Sequence, residues 1–385
     1  MNNEERVMAL FEKKPVDFLP SQITFSDRSR DVEISKALGL SGPDKLDAYL
    51  QNHIAFTFMM DDVPLFFRND DATLQMLESK GYCKVDWDRN IVYDNWGTGI
   101  MMHTDGFFCN YAPLGQDKEA NKKAKKFLPE RLQDVIDMPL EQAVREFTAP
   151  DPFKEGNFEW FERDRALRGD FMVIPSGYFG IYERSYATMG FENFMLMIAE
   201  DPSVNEELMA KVTDYRVAVA KTKYDLGYKV VHIGDDLGTQ CAGFFSKQMF
   251  NEQFMPHYRR LFAEHKKYNQ YIVIHSCGDI IGYLPELIDA GLDGWEPVQP
   301  CNDLKKLKQE YGKDLVLWGG IDTQLLPFRN PAEVKQMAKE TIYLLGKGGG
   351  HIIGPAQEIM NDVPLENVVA LLETIIEERE RVLRA

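Results

Sequence analysis

Short apolar, β-branched runs recur along the chain, and most are followed by a stretch in which apolar residues fall at helical spacing. Runs at 54–60, 171–174, 229–234, 271–274, 292–295, 315–318 and 350–353 have this form, and a strand-like run within 15–25 precedes them. A run of four to seven apolar residues bounded by Gly, Pro, Asp or Asn predicts a buried strand, and alternation with helices predicts parallel pairing. Eight such runs predict an α/β fold, a single (β/α)8 TIM barrel spanning 1–385. Helical spacing at 4–13 adds an N-terminal extension, and between about 85 and 157 the pattern changes. There the aromatic, glycine-rich stretch 93–111 predicts a β-hairpin laid over the body. A doubly wound open sheet is the other arrangement such alternation allows, but no Gly-x-Gly-x-x-Gly follows a strand and no Walker lysine loop is present.

Charge narrows the partners. With 61 acidic against 44 basic residues the formal charge is −17, which disfavours a nucleic-acid backbone and leaves small molecules and neutral or basic proteins. No apolar run approaches the ~20 residues that span a bilayer, so no membrane is expected. The first residues are charged and amphipathic rather than a leader, which predicts a cytoplasmic protein. Five cysteines (Cys83, Cys109, Cys241, Cys277 and Cys301) without disulfide-like spacing suit a reducing compartment and direct attention to metal or thiol chemistry. A homo-oligomer is left open.

In a barrel the reactive groups gather after the strands, and here those positions are polar. Asp235 and Asp236 follow one run, His275 and Cys277 the next, and then come Glu296, Asp322 and the Gln357-Glu358 loop. In an extended segment residues i and i+2 point the same way, so His275 and Cys277 can share one ion. Adding the Glu296 carboxylate gives three zinc ligands and an open fourth position. Two adjacent carboxylates, Asp235 and Asp236, are costly to bury unpaired, so they are candidates for a general base, a substrate contact or the orientation of a ligand; capping the next turn is the alternative. Trp96, His103, Tyr178, Phe179 and Tyr182 are candidates to roof the mouth and, with Gln240, to bind substrate; an aromatic group of this kind also fits a core.

His275-Ser-Cys-Gly-Asp279, Gly291-Leu-Asp-Gly-Trp-Glu-Pro-Val-Gln299, Gly319-Gly-Ile-Asp322 and Pro364-Leu-Glu-Asn367, with Ile233-Gly-Asp-Asp-Leu-Gly-Thr-Gln240 upstream, resemble the uroporphyrinogen decarboxylase superfamily. The resemblance implies a (β/α)8 barrel. The arginine-rich segment by which true decarboxylases clamp a polycarboxylate is not matched in 22–28, whereas His275 and Cys277 match the His-x-Cys of the branch of zinc methyltransferases that work with corrinoid proteins. Gln357 stands where that branch carries a further cysteine, and the similar barrel of cobalamin-independent methionine synthases, with its added glutamate, makes Glu296 the compensating ligand. The resemblance therefore implies zinc at His275, Cys277, Glu296 and Gln357. It also implies methyl transfer between a small molecule (a methoxylated compound, a methylamine-type donor or a thiol) and cobalamin on a separate corrinoid protein. Decarboxylation of a small carboxylic acid and a non-catalytic ligand-binding barrel are the alternatives.

Overall fold

The computed structural model describes residues 1–26, 28–104, 109–177 and 179–384. Two sheets organise it. The larger has seven strands: β1 (Ile54–Phe58), β6 (Met172–Gly177), β7 (Val230–Gly234), β8 (Tyr271–His275), β9 (Gly294–Val298), β10 (Val316–Ile321) and β11 (His351–Pro355), hydrogen-bonded in that order. All its pairings are parallel. Helices link successive strands, and β6, β7, β10 and β11 are buried at every residue, as a sheet covered on both faces requires.

The sheet curls, and residues 20–25 run between its two edge strands. Ile353 donates its N–H to the Pro20 carbonyl at 2.9 Å, Gln22 returns one to Ile353 at 2.8 Å, and His53 donates to the Ser21 carbonyl at 3.1 Å. The strand predicted within 15–25 is reduced here to isolated bridges from Ser21 to Ile353 and from Phe25 to Ile359. Between the two bridges the Asn52 side chain takes both backbone groups of Ile23, accepting its N–H at 2.8 Å and donating to its carbonyl at 2.9 Å, which interrupts the ladder.

The smaller sheet occupies the predicted insertion. Instead of one hairpin it has four antiparallel strands, β2 (Cys83–Asp86), β3 (Ile91–Asp94), β4 (Gly99–Met101) and β5 (Cys109–Tyr111). Residues 105–108 of the predicted hairpin lie outside the described residues.

At the N-terminal end of the large sheet, helix Asn3–Phe11 closes the interior. Asn2 and Glu5 cap it reciprocally, and Val7, Leu10 and Phe11 join Ile54, Met172, Ile174, Val230, Val273, Val316 and Ile352 in one apolar cluster. That end is dry and filled, so polar chemistry is confined to the opposite, C-terminal end. Among the described residues no helix is long and apolar enough to cross a membrane.

Candidate metal centre

Register across β7, β8 and β9 sets the site. Gly234 pairs with His275 and His275 with Glu296, which brings the ends of three adjacent strands level. Beyond the end of β8 the chain stays extended just long enough for His275 and Cys277 to face the same way, while the intervening Ser276 turns inward and accepts the Leu237 N–H at 2.9 Å. Gly278 then turns the chain at φ +86°, and a Cβ there would lie 2.3 Å from the Gly238 carbonyl carbon, so only glycine fits.

The two nitrogens of His275 serve opposite sides. Nδ1 lies 2.6 Å from Glu296 Oε2, which also meets His232 Nε2 at 3.1 Å. His232 is held in turn by Ser176 at 2.8 Å. Burial opposes a charged Glu296, but the two imidazoles outweigh it and hold its pKa down at about 2. An ionised carboxylate only accepts, so the Nδ1 of His275 donates to it, and Nε2 is the nitrogen left toward the cleft. Nε2 faces Asp236 Oδ1 at 3.5 Å and Cys277 Sγ at 4.0 Å. Gln357 Nε2 lies 3.8 Å from the same sulfur. Asp236 also accepts the Cys277 N–H at 2.7 Å, tying the two loops together. Burial pushes the Cys277 thiol up to about 11.

Among the described residues, two groups have metal-ligand composition, each with its donor atoms within 4.8 Å of one another: His232, His275 and Glu296, and Asp236, His275 and Cys277. A tetrahedral zinc with bonds of about 2.0–2.3 Å spreads its ligand atoms roughly 3.3–3.8 Å apart. In the second group the 3.5 Å spacing falls inside that range and the 4.0 Å spacing lies just outside it, within reach of a small shift of the Cys277 thiol, whereas 2.6 Å from His275 to Glu296 is a hydrogen bond. Glu296, expected among the ligands, meets the Nδ1 side of the imidazole and groups with His232 and His275, while Asp236 lies on the Nε2 side with Cys277. His232 escaped notice in the sequence because it sits inside the apolar run 229–234; its one signal was a ring-nitrogen side chain two residues from a strand end.

The remaining candidates are dispersed. Asp235 is fully buried and accepts the Ile181, Tyr182 and Glu183 N–H groups at 2.6, 3.1 and 2.7 Å and the Tyr258 hydroxyl at 2.6 Å. It caps helix Tyr182–Met189, with a pKa raised by burial to about 6. Trp96 is buried against Tyr215 and Phe147, and Tyr182 is buried among Tyr186, Phe245 and Phe254. Phe179 is buried too. His103 is exposed, 3.4 Å from Asp71. Tyr178 lies outside the described residues. Gln240 does line the cleft that opens above Asp236 and Cys277, together with Gln299, Asp322, Gln324, Phe328, Gln357 and Glu358. The cleft measures about 630 Å³, and among the described residues no lysine or arginine lines it.

A parallel α/β sheet with its polar cluster at the C-terminal strand ends defines an enzyme of the barrel-like class. The family model described as Uroporphyrinogen decarboxylase (URO-D) matches residues 184–378, just over half of the chain, and the chain belongs to that family. Two curated relatives, the uroporphyrinogen decarboxylases of Coxiella burnetii (strain Dugway 5J108-111) and Carboxydothermus hydrogenoformans, are 22% and 27% identical over 182 and 184 residues. In both cases 46% of this chain is covered and about half (49%) of the relative's length. Among solved structures, a methyltransferase from Methanosarcina mazei superposes with a TM-score of 0.59 over 98% of this chain and 99% of its own, at 18% identity, a likeness of fold.

Proposed function

We propose that this chain, read as a single catalytic unit over 1–385 acting in the cytoplasm, is a zinc-dependent methyltransferase that moves a methyl group between a small molecule and cobalamin held by a separate corrinoid protein. The observation that carries the reading is the convergence of Asp236 Oδ1, His275 Nε2 and Cys277 Sγ at the floor of the cleft. These residues would hold the zinc, with Gln357 beside the sulfur and Glu296 and His232 orienting the imidazole. A zinc there would supply Lewis acidity toward the substrate heteroatom, and the Cys277 and Asp236 side chains would offset its charge. Asp235 supports the site by capping helix Tyr182–Met189 and so anchoring the loop from which Asp236 projects.

The lining of the cleft favours this over the decarboxylase reading. Polycarboxylate substrates need cations, and this cleft offers Asp236, Asp322, Glu358 and Asp362 with no lysine or arginine among its lining residues. The names of the curated relatives support the other reading, decarboxylation, for which a small acid would have to enter an acidic cleft. The likeness of fold to a methyltransferase supports methyl transfer. Phe328 and Met360, 82% and 40% exposed at the rim, give a corrinoid-bearing partner an apolar place to sit.

The test is methyl transfer itself, followed by the cobalamin absorbance change with methoxylated aromatics, methylamines, betaines and thiols in turn, with free cobalamin and with corrinoid proteins. Methylation or demethylation that depends on zinc supports the reading. Indifference to every corrinoid form, with carbon dioxide released from a small acid, would replace it with the decarboxylase.

A further inference from the structure

Three glutamines from three different loops form a directed chain of amide hydrogen bonds across the mouth. Gln324 Nε2 donates to Gln240 Oε1 at 3.1 Å, Gln240 Nε2 donates to Gln299 Oε1 at 2.9 Å, and Gln299 Nε2 donates to the Ala356 carbonyl at 3.0 Å. Gln299 Oε1 also accepts the N–H of Gly278 at 2.9 Å. The direction is fixed by the backbone, because turning the Gln299 amide over would set its NH2 against the Gly278 N–H and its oxygen against the Ala356 carbonyl. Gln299 is 6% exposed, so neither backbone group would find water in its place.

Gly278 follows Cys277, and Ala356 precedes Gln357. One buried side chain thus holds both loops that approach the sulfur, while Asn302 clamps the Gly278 carbonyl from the other side at 3.0 Å. We propose that Gln299 is a positioning residue for the metal centre, setting the Cys277 and Gln357 loops at their spacing and linking them through Gln240 to the substrate cleft. The proposal rests on the metal reading above for its consequence, but the anchoring of the two loops stands apart from it.

Loss of an outer partner of a metal ligand typically weakens metal binding ~10- to 100-fold. Zinc affinity of the full chain is measured by competition with a chromophoric chelator for wild type, Gln299→Met and Asn367→Leu. Asn367 is an equally buried amide that bonds the Leu326 and Arg329 carbonyls away from the site, so its variant matches the structural disturbance alone. The expected result is ~10- to 100-fold weaker zinc binding in Gln299→Met and wild-type affinity in Asn367→Leu. Equal affinity in Gln299→Met and wild type, or equal weakening in both variants, overturns the proposal. Should wild type bind no zinc, the metal reading fails, and the rate of thiol labelling at Cys277, mapped by peptide mass, decides the anchoring. Labelling at least tenfold faster in Gln299→Met supports it, and an unchanged rate overturns it.

Discussion

Two polar clusters sit beyond the strand ends, and their charges are balanced in different ways. Beside the smaller sheet, Asp62 receives both Arg216 terminal nitrogens at 2.8 and 3.2 Å, and Arg184 binds Asp94 at 2.6 Å and approaches Asp62 at 3.8 Å. Asp61 takes its bonds from Asn95, Asn157 and the Tyr215 hydroxyl. These five charged side chains are almost entirely buried, and every carboxylate has a cation or several neutral donors. Around Cys277 the arrangement is reversed: a carboxylate, an imidazole and a thiol converge, the Asp236 side chain is 41% exposed to the cleft, and among the described residues no lysine or arginine lines it. Matched charges lock the insertion to the main sheet. Electron-pair donors facing one point form a place for a cation.

The largest expected contrast comes from cutting each cluster once. Arg216→Met leaves the buried Asp62 with Arg184 at 3.8 Å as its nearest cation among the described residues and should cost about 3–5 kcal/mol of unfolding free energy in urea. Cys277→Ala in the metal-free protein should cost no more than about 1 kcal/mol. If the two variants unfold at the same urea concentration, the division into a locking and a binding cluster is wrong.

Next is Glu296→Gln. It retains the shape but loses the charge that holds the His275 tautomer, so zinc affinity should fall ~10- to 100-fold, and because the two imidazoles hold this carboxylate ionised in the folded protein the unfolding midpoint should fall as well. Unaltered zinc affinity would mean that Glu296 does not orient His275.

Histidines buried away from the metal cluster sharpen the contrast through pH. Burial lowers His53 and His351 to about 4 and His265 to about 3. Below pH ~6.5 the unfolded chain takes up protons that the folded chain refuses, so stability present above that pH is lost as pH falls toward 4. The slope is about 1.4 kcal/mol per pH unit for each histidine. Urea midpoints between pH 7 and 5 check it, and a stability independent of pH across that range would contradict the burial of these rings. The smallest effect belongs to His103→Ala, an exposed pairing with Asp71 whose loss should stay within about 0.5 kcal/mol.

These outcomes also mark what was legible in the sequence. The seven regular strands stand where apolar, β-branched runs stand, because a sheet buried on both faces must be written as continuous hydrophobics. The eighth run pairs only at Ser21 and Phe25, because the Asn52 side chain takes both backbone groups of Ile23 between them, a contact that no local pattern announces. His275 and Cys277 could be read from i, i+2 alternation at a strand end, but which carboxylate joins them depends on side-chain direction, and that is set by register. Glu296 pairs with His275 in register and so meets its Nδ1, leaving Nε2 to Asp236. Trp96 and Tyr182 fill core that composition alone does not distinguish from a substrate box.

The central claim is that Asp236, His275 and Cys277 share one zinc, with Glu296 behind the imidazole. X-ray absorption at the zinc edge of the loaded protein tests it most directly. The account predicts one sulfur at about 2.3 Å and nitrogen or oxygen ligands near 2.0–2.1 Å, with the sulfur shell lost in Cys277→Ala and the wild-type spectrum kept in Cys301→Ala. A zinc shell with no sulfur in the wild-type protein, or the same shell in Cys277→Ala, would contradict it.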